Sequence, residues 1–348
     1  MQIKKEEMTR TILKALTKKY IADIVSDPYR SLRNLVDLGS NFAVGEFQNK
    51  FFSTAREMLS SNKSAYYDIA MNIVSSIDQE TIKTFGVNVG YNSCIHGANM
   101  IRENEAECGY NIPGTIVFSV SDADDMDGGI GCGDIAPMIA QGNELGIFTY
   151  VIACCESGIA EISSLFTQYP DSAFLLFVSS DKISDADALV DTVSGYNNVL
   201  VAVSAKSEQF ADVTYKLKEG KILCGAYITY DEATAVNEIL PGKYADEIAR
   251  SLCPFAVLVS DYGVSETTRA LVTAHVRAVR ESQKAPYILI DAFQDLLEID
   301  KIISDDACSI RFDKSGDAYM FDKKLGYNMK DAPLNRILAQ TMPRKECE

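Results

Sequence analysis

The hydrophobic pattern of the chain changes near residue 110, and before that point it is helical. Through the first 110 residues, apolar side chains recur every three or four positions, as they do on one face of an α-helix. Clear examples are Leu13, Leu16, Tyr20 and Ile24, and later Ile69, Ile73, Val74 and Ile77. Turn-forming residues separate these segments. We therefore predict that residues 1–110 form a helical N-terminal lobe of about five helices.

From Asn111 onward, short β-branched apolar runs alternate with amphipathic stretches. Nearly continuous apolar runs are typical of parallel strands that are buried by crossover helices. The candidate strands are 115–121, 147–154, 172–178, 199–204, 223–229, 254–260 and 286–291. This repeated order predicts an α/β fold, a full or partial TIM-type (β/α) barrel, over residues 111–300.

The strand and helix rhythm ends near residue 300. Residues 308–313 and 317–322 form two alternating segments, and the connection between them contains Gly316. A short glycine-containing connection of this kind is typical of a β-hairpin. Residues 301–348 are therefore predicted to form a C-terminal hairpin extension.

The charge and the apolar content of the chain indicate which partners are not expected. The 348 residues carry a formal net charge of −16, and residues 1–110 hold 13 basic and 13 acidic side chains, so the acidic excess lies in the remainder. No nucleic-acid partner is expected, because such a partner requires a basic surface. We expect a cytoplasmic protein without membrane association, since the chain has no apolar run of about 18 residues and no secretory signal.

An acidic loop follows the first predicted strand. Its carboxylates are Asp122, Asp124, Asp125 and Asp127, with Asp134 further on. Sites of α/β barrels form at the carboxyl ends of strands, and clustered carboxylates bind divalent cations such as Ca²⁺ or Mg²⁺. The loop 122–134 therefore has two interpretations, a metal site that supports an enzyme activity and a solvated loop without a ligand.

Two further groups of side chains are candidates for a site. Cysteines in successive strand–helix loops, with a fourth ligand, have the donors of a zinc or iron site, and the alternative is buried thiols. These cysteines are Cys132, Cys154 and Cys155, and the fourth ligand is Cys308 or His96. Side chains at or near strand ends would line a cavity, unless the aspartates among them cap helices. The candidates for that cavity are His96, Asp261, Asp291 and Asp295.

Five segments occur in an order that is typical of one known family. They are residues 84–92, 101–105, 111–113, 312–317 and 328–331. Together they resemble a group of radical S-adenosylmethionine (SAM) proteins of anaerobic bacteria, and the resemblance covers nearly the whole chain. Gly114 departs from it, because a tryptophan is usual at that place. The resemblance implies a radical SAM barrel, which in active members holds a [4Fe–4S] cluster and SAM.

The cluster ligands of that family are missing from this chain. Against the CxxxCxxC motif of the family, Asp124, Gly128 and Gly131 stand at the three ligand positions. A site-differentiated cluster needs three protein thiolates there. Cys132 lies one residue beyond the third position, and a shift of one residue moves a sulfur by roughly 3.3–3.6 Å. The resemblance therefore implies a degenerate member without the cluster.

The SAM-binding turn of the family is changed as well. Active members carry a Gly-Gly-Glu-Pro turn whose backbone receives the amino group of SAM, and side chains in place of glycine crowd that pocket. The matching residues here are Cys154, Cys155, Glu156 and Ser157. In the C-terminal extension, Phe321 stands where related proteins often place a further cysteine. Only the glutamate of the turn is retained.

These departures imply a pseudoenzyme that neither holds a cluster nor cleaves SAM, and no cofactor is expected for it. Its function would be binding, to a small molecule, a peptide or an active radical SAM enzyme. Two alternatives stay open. One is a divalent-metal enzyme that uses the loop 122–134, and the other is an iron–sulfur protein whose cluster is held by displaced cysteines.

Overall fold

A computed structural model describes residues 2–41, 46–120, 129–178, 183, 185–304 and 308–344. Within these ranges the chain begins with helices and continues as one sheet with helices packed against it. The helices that precede the sheet are α1 (Gln2–Ile24), α2 (Pro28–Ser40), α3 (Glu46–Met58), α4 (Ala65–Ser76), α5 (Gln79–Val87), a π-helix (Asn88–Gly97) and α6 (Ala98–Cys108).

Capping side chains fix where several of these helices begin. The Asp27 carboxylate accepts a hydrogen bond from the N–H of Arg30 at 3.1 Å, and Pro28 occupies the first helical position of α2, where no donor is needed. Asp78 accepts bonds from two N–H groups at the start of α5. Helix α6 ends at Gly109, whose φ of +74° is left-handed and favours glycine.

One sheet contains all the strands of the described residues. They are β1 (Thr115–Ser119), β2 (Thr149–Cys154), β3 (Ala173–Val178), β4 (Val199–Ser204), β5 (Cys224–Tyr230), β6 (Phe255–Ser260), β7 (Ile288–Asp291), β8 (Ile310–Phe312), β9 (Asp317–Met320) and β10 (Lys323–Asn328). Their order across the sheet is β10-β9-β8-β1-β2-β3-β4-β5-β6-β7. Strands β1 to β8 run parallel wherever they pair with one another, and β9 and β10 add an antiparallel extension beside β8.

This topology confirms the predicted α/β fold with a parallel sheet, and it selects the partial form of the barrel. Each of the seven candidate strands is present, and the predicted hairpin is formed by β8 and β9. The strand β10 was not predicted. Because β7 and β10 are the two edges of the sheet, β7 does not pair with β8 and the barrel is not closed.

The helices that connect the strands lie on one face of the sheet. Strands β1 to β7 are adjacent in sequence order, and right-handed crossovers between such strands place every connecting helix on the same side. These helices are α7 (Cys132–Leu145), α8 (Glu156–Gln168), α9 (Ala186–Val193), α10 (Phe210–Glu219), α11 (Glu232–Thr234), a π-helix (Ala235–Ile239), α12 (Ala245–Ser251), α13 (Glu266–Ser282) and α14 (Ala292–Ile303), while α15 (Leu334–Thr341) follows β10. We call the opposite side, which carries Val117, Val151 and Arg311, the concave face.

The main core lies between the sheet and these helices. Four aromatic side chains on adjacent strands are fully buried there, namely Phe312, Phe118, Tyr150 and Phe174. The ring centroids of Phe118 and Phe312 are 5.6 Å apart, and those of Tyr150 and Phe174 are 5.8 Å apart. Truncation of a buried aromatic side chain of this kind typically costs about 3–5 kcal/mol, so this stack holds β8 firmly beside β1.

The N-terminal helices close the amino end of the concave face. Ile77, Ile82 and Phe85 pack with Leu200 of β4 in a second apolar cluster. Polar contacts reach the loops that lead into the strands. Thr81 donates to Asn197 at 2.8 Å, Asp78 N–H donates to the carbonyl of Lys221 at 3.0 Å, and Ser93 lies 2.7 Å from Thr149. The carboxyl end of the concave face is therefore the end that these helices leave open.

Side chains of α13 and α14 contact the turn between β9 and β10, across the gap between β7 and β8 that we call the seam. Arg269 of α13 donates to the carboxylate of Asp322 at 3.1 Å, and the ring of Phe293 on α14 lies 5.6 Å from that of Phe321. The Arg269 guanidinium also stacks over the Phe293 ring at 4.3 Å. The helices beside β7 are thus joined to the β9–β10 turn by side-chain contacts.

Candidate functional site

The concave face is partly exposed, which is unusual for a parallel sheet. On β2, Val151 and Ala153 are partly exposed whereas Tyr150 and Ile152 are buried, and the same alternation occurs on β1 and β3. Parallel sheets are normally covered on both faces. The exposed apolar residues therefore mark a surface that is available to a ligand.

The open part of this surface lies toward the carboxyl ends of the strands. Leu200 and Ala202 of β4 are buried under the N-terminal helices, but Ser204, one pleat further on, is partly exposed. Phe177 of β3 and Thr229 of β5 are partly exposed as well. The carboxyl ends of barrel strands are the usual position of a functional site, so this open part is the candidate site.

Arg311 is the charged side chain of β8 on the concave face. It lies opposite Val117 in the pairing of β8 with β1. Its guanidinium carbon is 4.5 Å from the ring centroid of Tyr262, which follows β6, and 4.3 Å from that of Tyr319 on β9. The sequence analysis did not single out Arg311, although its position between the buried Ile310 and Phe312 is a signal that it faces away from the core.

Of the three positions that the resemblance aligns with cluster ligands, the structure describes only Gly131, since Asp124 and Gly128 lie outside the described residues. Gly131 precedes α7, and its N–H donates to Asp134 at 3.1 Å. The N–H of Cys132 donates to Glu161 of α8, also at 3.1 Å. A Cβ added at Gly131 would come within 2.3 Å of the Glu161 carboxylate. A cysteine at Gly131 would therefore require the exposed Glu161 side chain to rotate away from its present position.

The residues that the resemblance aligns with a SAM-binding turn lie at the start of α8. Cys154 is buried in the main core, whereas Cys155 begins the helix and its sulfur is 3.0 Å from the hydroxyl oxygen of Ser157. The Glu156 carboxylate accepts a hydrogen bond from the N–H of Asp185, which caps α9. The two thiols thus point to different surroundings, as expected for consecutive residues at a strand end.

The four candidate cavity residues are not brought together. Asp291 caps α14 and accepts a bond from the Thr273 hydroxyl at 2.7 Å, and burial raises the pKa of its carboxyl. Asp295 forms an ion pair with Arg280. These two aspartates therefore act as structural groups, and Asp261, which follows β6, is exposed.

His96 lies at the other end of the sheet from the aspartates. Its ring is 6.3 Å from that of Tyr91 in the same π-helix and 5.9 Å from that of Phe148, which immediately precedes β2. The aspartates of the predicted cavity follow or cap the carboxyl ends of strands. The structure therefore separates His96 from them, because the helix that carries it packs against the amino end of the sheet.

A buried polar group that the sequence did not reveal lies behind the end of β5. The Tyr230 side chain is fully buried and its hydroxyl has no hydrogen-bond partner among the described residues. Burial, followed by the nearby Asp291 carboxylate, raises the pKa of Tyr230 to about 12. The Nε of Arg269 on α13 is buried and has no described partner either. These residues come from separate elements, so no local pattern indicates their proximity.

Two metal sites were predicted from the sequence, one formed by cysteines and one formed by the acidic loop. In the part of the chain that the structure describes, no three His, Cys, Asp or Glu side chains are grouped closely enough to hold a metal ion. The sulfur of Cys132 lies 3.0 Å from the Ser164 hydroxyl oxygen, away from a shared centre with the other two cysteines. Asp122, Asp124, Asp125 and Asp127 lie outside the described residues, and their site stays a prediction.

Two other features of the described residues do not belong to this site. A cavity of about 240 Å³ lies between α2 and α3, and its arginines, Arg33 and Arg56, already bond to Tyr67 and Asp37. It is distant in the fold from the strand ends. No helix within the described ranges has both the length and the apolar character that crossing a membrane requires.

Comparisons with known proteins give a likeness of fold. No protein-family model matches the chain, and no curated protein matches it. The chain is similar to SuiB of Streptococcus suis bound to the precursor peptide SuiA, with 10% sequence identity and a TM-score of 0.49, covering 70% of this chain and 69% of that chain. It is also similar to SuiB bound to S-adenosylmethionine, with 10% identity and a TM-score of 0.47, covering 70% of this chain and 68% of that chain.

Proposed function

We propose that this protein is a non-catalytic, radical SAM-like protein that binds a peptide at the carboxyl end of its concave face. The observation that carries the proposal is the state of the former cluster loop. At Gly131, the position that supplies the third cluster thiolate in the resembled family, the neighbouring space and the neighbouring N–H groups are taken by the chain's own carboxylates.

The contacts around Gly131 argue against a thiolate at this position. A cysteine here would displace Glu161, which would break the bond between Glu161 and the N–H of Cys132. The carboxylates of Asp134 and Glu161 accept hydrogen bonds from the N–H groups of Gly131 and Cys132 at the start of α7. A thiolate placed between them would meet like charge, which disfavours the thiolate form that an iron cluster needs.

The former SAM turn supports the same conclusion. In the resembled family, glycines leave the backbone open to the amino group of SAM. Here the Cys155 side chain is buried beside Ser157, and the retained Glu156 is hydrogen-bonded to the start of α9. The glutamate therefore serves a structural bond in this chain.

The concave face supports the binding part of the proposal. It is apolar and partly exposed over several strands, with hydroxyl groups from Ser119, Ser204 and Thr229 toward the carboxyl ends. This apolar surface extends over several adjacent strands, which is long enough for a few residues of an extended peptide. An active partner enzyme would cover the same surface through one of its own segments.

Charge introduced on this surface is expected to weaken peptide retention. The probe is a pool of random heptapeptides, passed over immobilised protein and identified by mass spectrometry. Replacing Ala153 with glutamate places an unpaired carboxylate among apolar side chains, and we expect retention to fall by about tenfold or more, equivalent to about 1.4 kcal/mol. Ala211→Glu, at an exposed position of α10, is the matched control and should retain the pool as the wild type does.

Circular dichroism of both variants would show that the fold is intact. Retention of no peptides by the wild type, or equal retention by the wild type and Ala153→Glu, would contradict the proposed binding surface.

A further inference from the structure

Arg311 has a defined direction in the fold. Its neighbours Ile310 and Phe312 are buried in the main core, so the alternation of β8 turns Arg311 to the concave face. The pairing of β8, β1, β2 and β3 places Val117, Val151 and Leu175 level with it in one row, which ends where the N-terminal helices cover Leu200 of β4. With neighbouring strands about 4.8 Å apart, this row of four side chains extends for about 14 Å.

Two tyrosine rings hold the guanidinium of Arg311 in place. Tyr262 and Tyr319 lie over it at 4.5 Å and 4.3 Å from their ring centroids. The N–H groups of a guanidinium lie in its plane. When aromatic rings cover its faces, these donors remain accessible only around its edge. The stack therefore presents an oriented fork of donors instead of a mobile charge.

Three other cations near the seam pair with carboxylates of the chain. Arg269 pairs with Asp322, Arg280 with Asp295 and Lys324 with Asp317. The Arg311 side chain forms no hydrogen bond and no ion pair with any residue that the structure describes, while its backbone pairs within the sheet. An arginine that is held in position but left without an acceptor is suited to an acceptor from outside the chain.

We propose that Arg311 determines the specificity of the concave face by binding a carboxylate of an acidic peptide, an inference that rests on the peptide-binding function proposed above. A planar carboxylate matches the fork of a guanidinium and binds it through two parallel hydrogen bonds. The adjoining row of Val117, Val151 and Leu175 then contacts apolar side chains of the peptide. At roughly 3.3–3.6 Å per residue, about four extended residues cover this row.

The test compares two peptide pools on the full-length protein. Each is a set of random heptapeptides, identical except that the central residue is glutamate in one pool and its neutral isostere glutamine in the other. The wild type is expected to retain the glutamate pool about tenfold more strongly or better, as for a hydrogen bond to a charged group. Arg311→Gln should lose this preference, and Arg311→Lys should recover only part of it, because lysine lacks the fork.

Two controls test whether the preference for glutamate belongs to Arg311 itself. Arg277→Gln removes the same charge from an exposed position of α13 and should keep the wild-type preference. The second control repeats the comparison in a protein that carries asparagine at Asp122, Asp124, Asp125 and Asp127. There the glutamate preference is measured with arginine and with glutamine at position 311. If the effect of Arg311 disappears in that background, the guanidinium serves the acidic loop and the inference is overturned.

The outcomes also separate this inference from the proposed function. Equal retention of both pools by the wild type, with no effect of Arg311→Gln, would overturn the role of Arg311 and leave peptide binding in place. Retention of neither pool would overturn the proposed function itself. A glutamate preference that Arg311→Gln removes and Arg277→Gln keeps is the result that supports the inference.

Discussion

Replacement of Gly97 with alanine is expected to destabilise the folded protein by about 3 kcal/mol. Gly97 is the last residue of the first π-helix, where the chain passes the end of α7. A Cβ at this position would lie 2.3 Å from the carbonyl oxygen of Gly146 and 2.7 Å from that of Asn92. Both are backbone atoms and cannot rotate away as a side chain can. The packing of the N-terminal helices against the amino end of the sheet must therefore shift.

Gly90 of the same π-helix provides the matched control. Nothing lies within 4 Å of a Cβ added there, and its φ is not left-handed. Because alanine is a better helix former than glycine, Gly90→Ala is expected to stabilise the protein by roughly 0.5–1 kcal/mol. Urea unfolding followed by circular dichroism gives both values. Similar changes in the two variants, or an unchanged stability of Gly97→Ala, would contradict the close approach of these helices.

Asp300 of α14 is expected to make the stability of the protein depend on pH below neutrality. Its carboxylate accepts a hydrogen bond from the N–H of Gly114 at 2.9 Å, just before β1. Burial raises the pKa of Asp300 from 3.8 to about 7, and the buried Glu105 nearby acts in the same direction. The folded protein therefore holds a proton on this group that the unfolded chain releases near pH 4.

The sign of the effect follows from this difference in bound protons. The folded state binds more protons than the unfolded state between pH 4 and pH 7, so the contribution of Asp300 is present below pH 4 and is lost as the pH rises to 7. A shift of about three pKa units corresponds to at most about 4 kcal/mol. Asp300→Asn keeps an acceptor for Gly114 but cannot ionise.

Urea unfolding at a series of pH values measures this contribution as a difference. The stability of Asp300→Asn relative to the wild type is expected to rise between pH 4 and pH 8. A constant difference over this range would show that Asp300 has an ordinary pKa.

The same site explains the departure of Gly114 from the resembled family, since an added Cβ would meet Ile303 at 3.2 Å and Asp300 at 3.3 Å, leaving little room for a tryptophan.

The strands were predictable because their signal is local. A buried parallel strand is a short apolar run, and each of the seven candidate strands occurs near its predicted position. The sequence did not predict that the barrel is open. Closure depends on whether β7 pairs with β8, and the apolar pattern of these strands is the same whether or not they pair. The strand β10 was missed because its apolar alternation consists of only Leu325 and Tyr327, after two lysines.

The candidate site was less accessible to sequence reasoning, since its side chains come from distant parts of the chain. Arg311 is oriented by Tyr262 and Tyr319, and no spacing in the sequence links β8 to the loop after β6. The position of His96 depends on how the first π-helix packs beneath β2, which is a tertiary property. Gly131 and Cys155 entered the candidate site only through the family resemblance, because no local pattern of the sequence marks them.

The most direct test of the account is the iron and SAM chemistry of the protein prepared without oxygen. The protein is reconstituted with iron and sulfide, assayed for both elements, and incubated with SAM and a reductant beside a variant with cysteine at Asp124, Gly128 and Gly131. We predict a colourless wild type with background iron and no 5′-deoxyadenosine, because three thiolate ligands are required for the cluster. A brown wild type that holds a [4Fe–4S] cluster and releases 5′-deoxyadenosine on reduction would contradict the account.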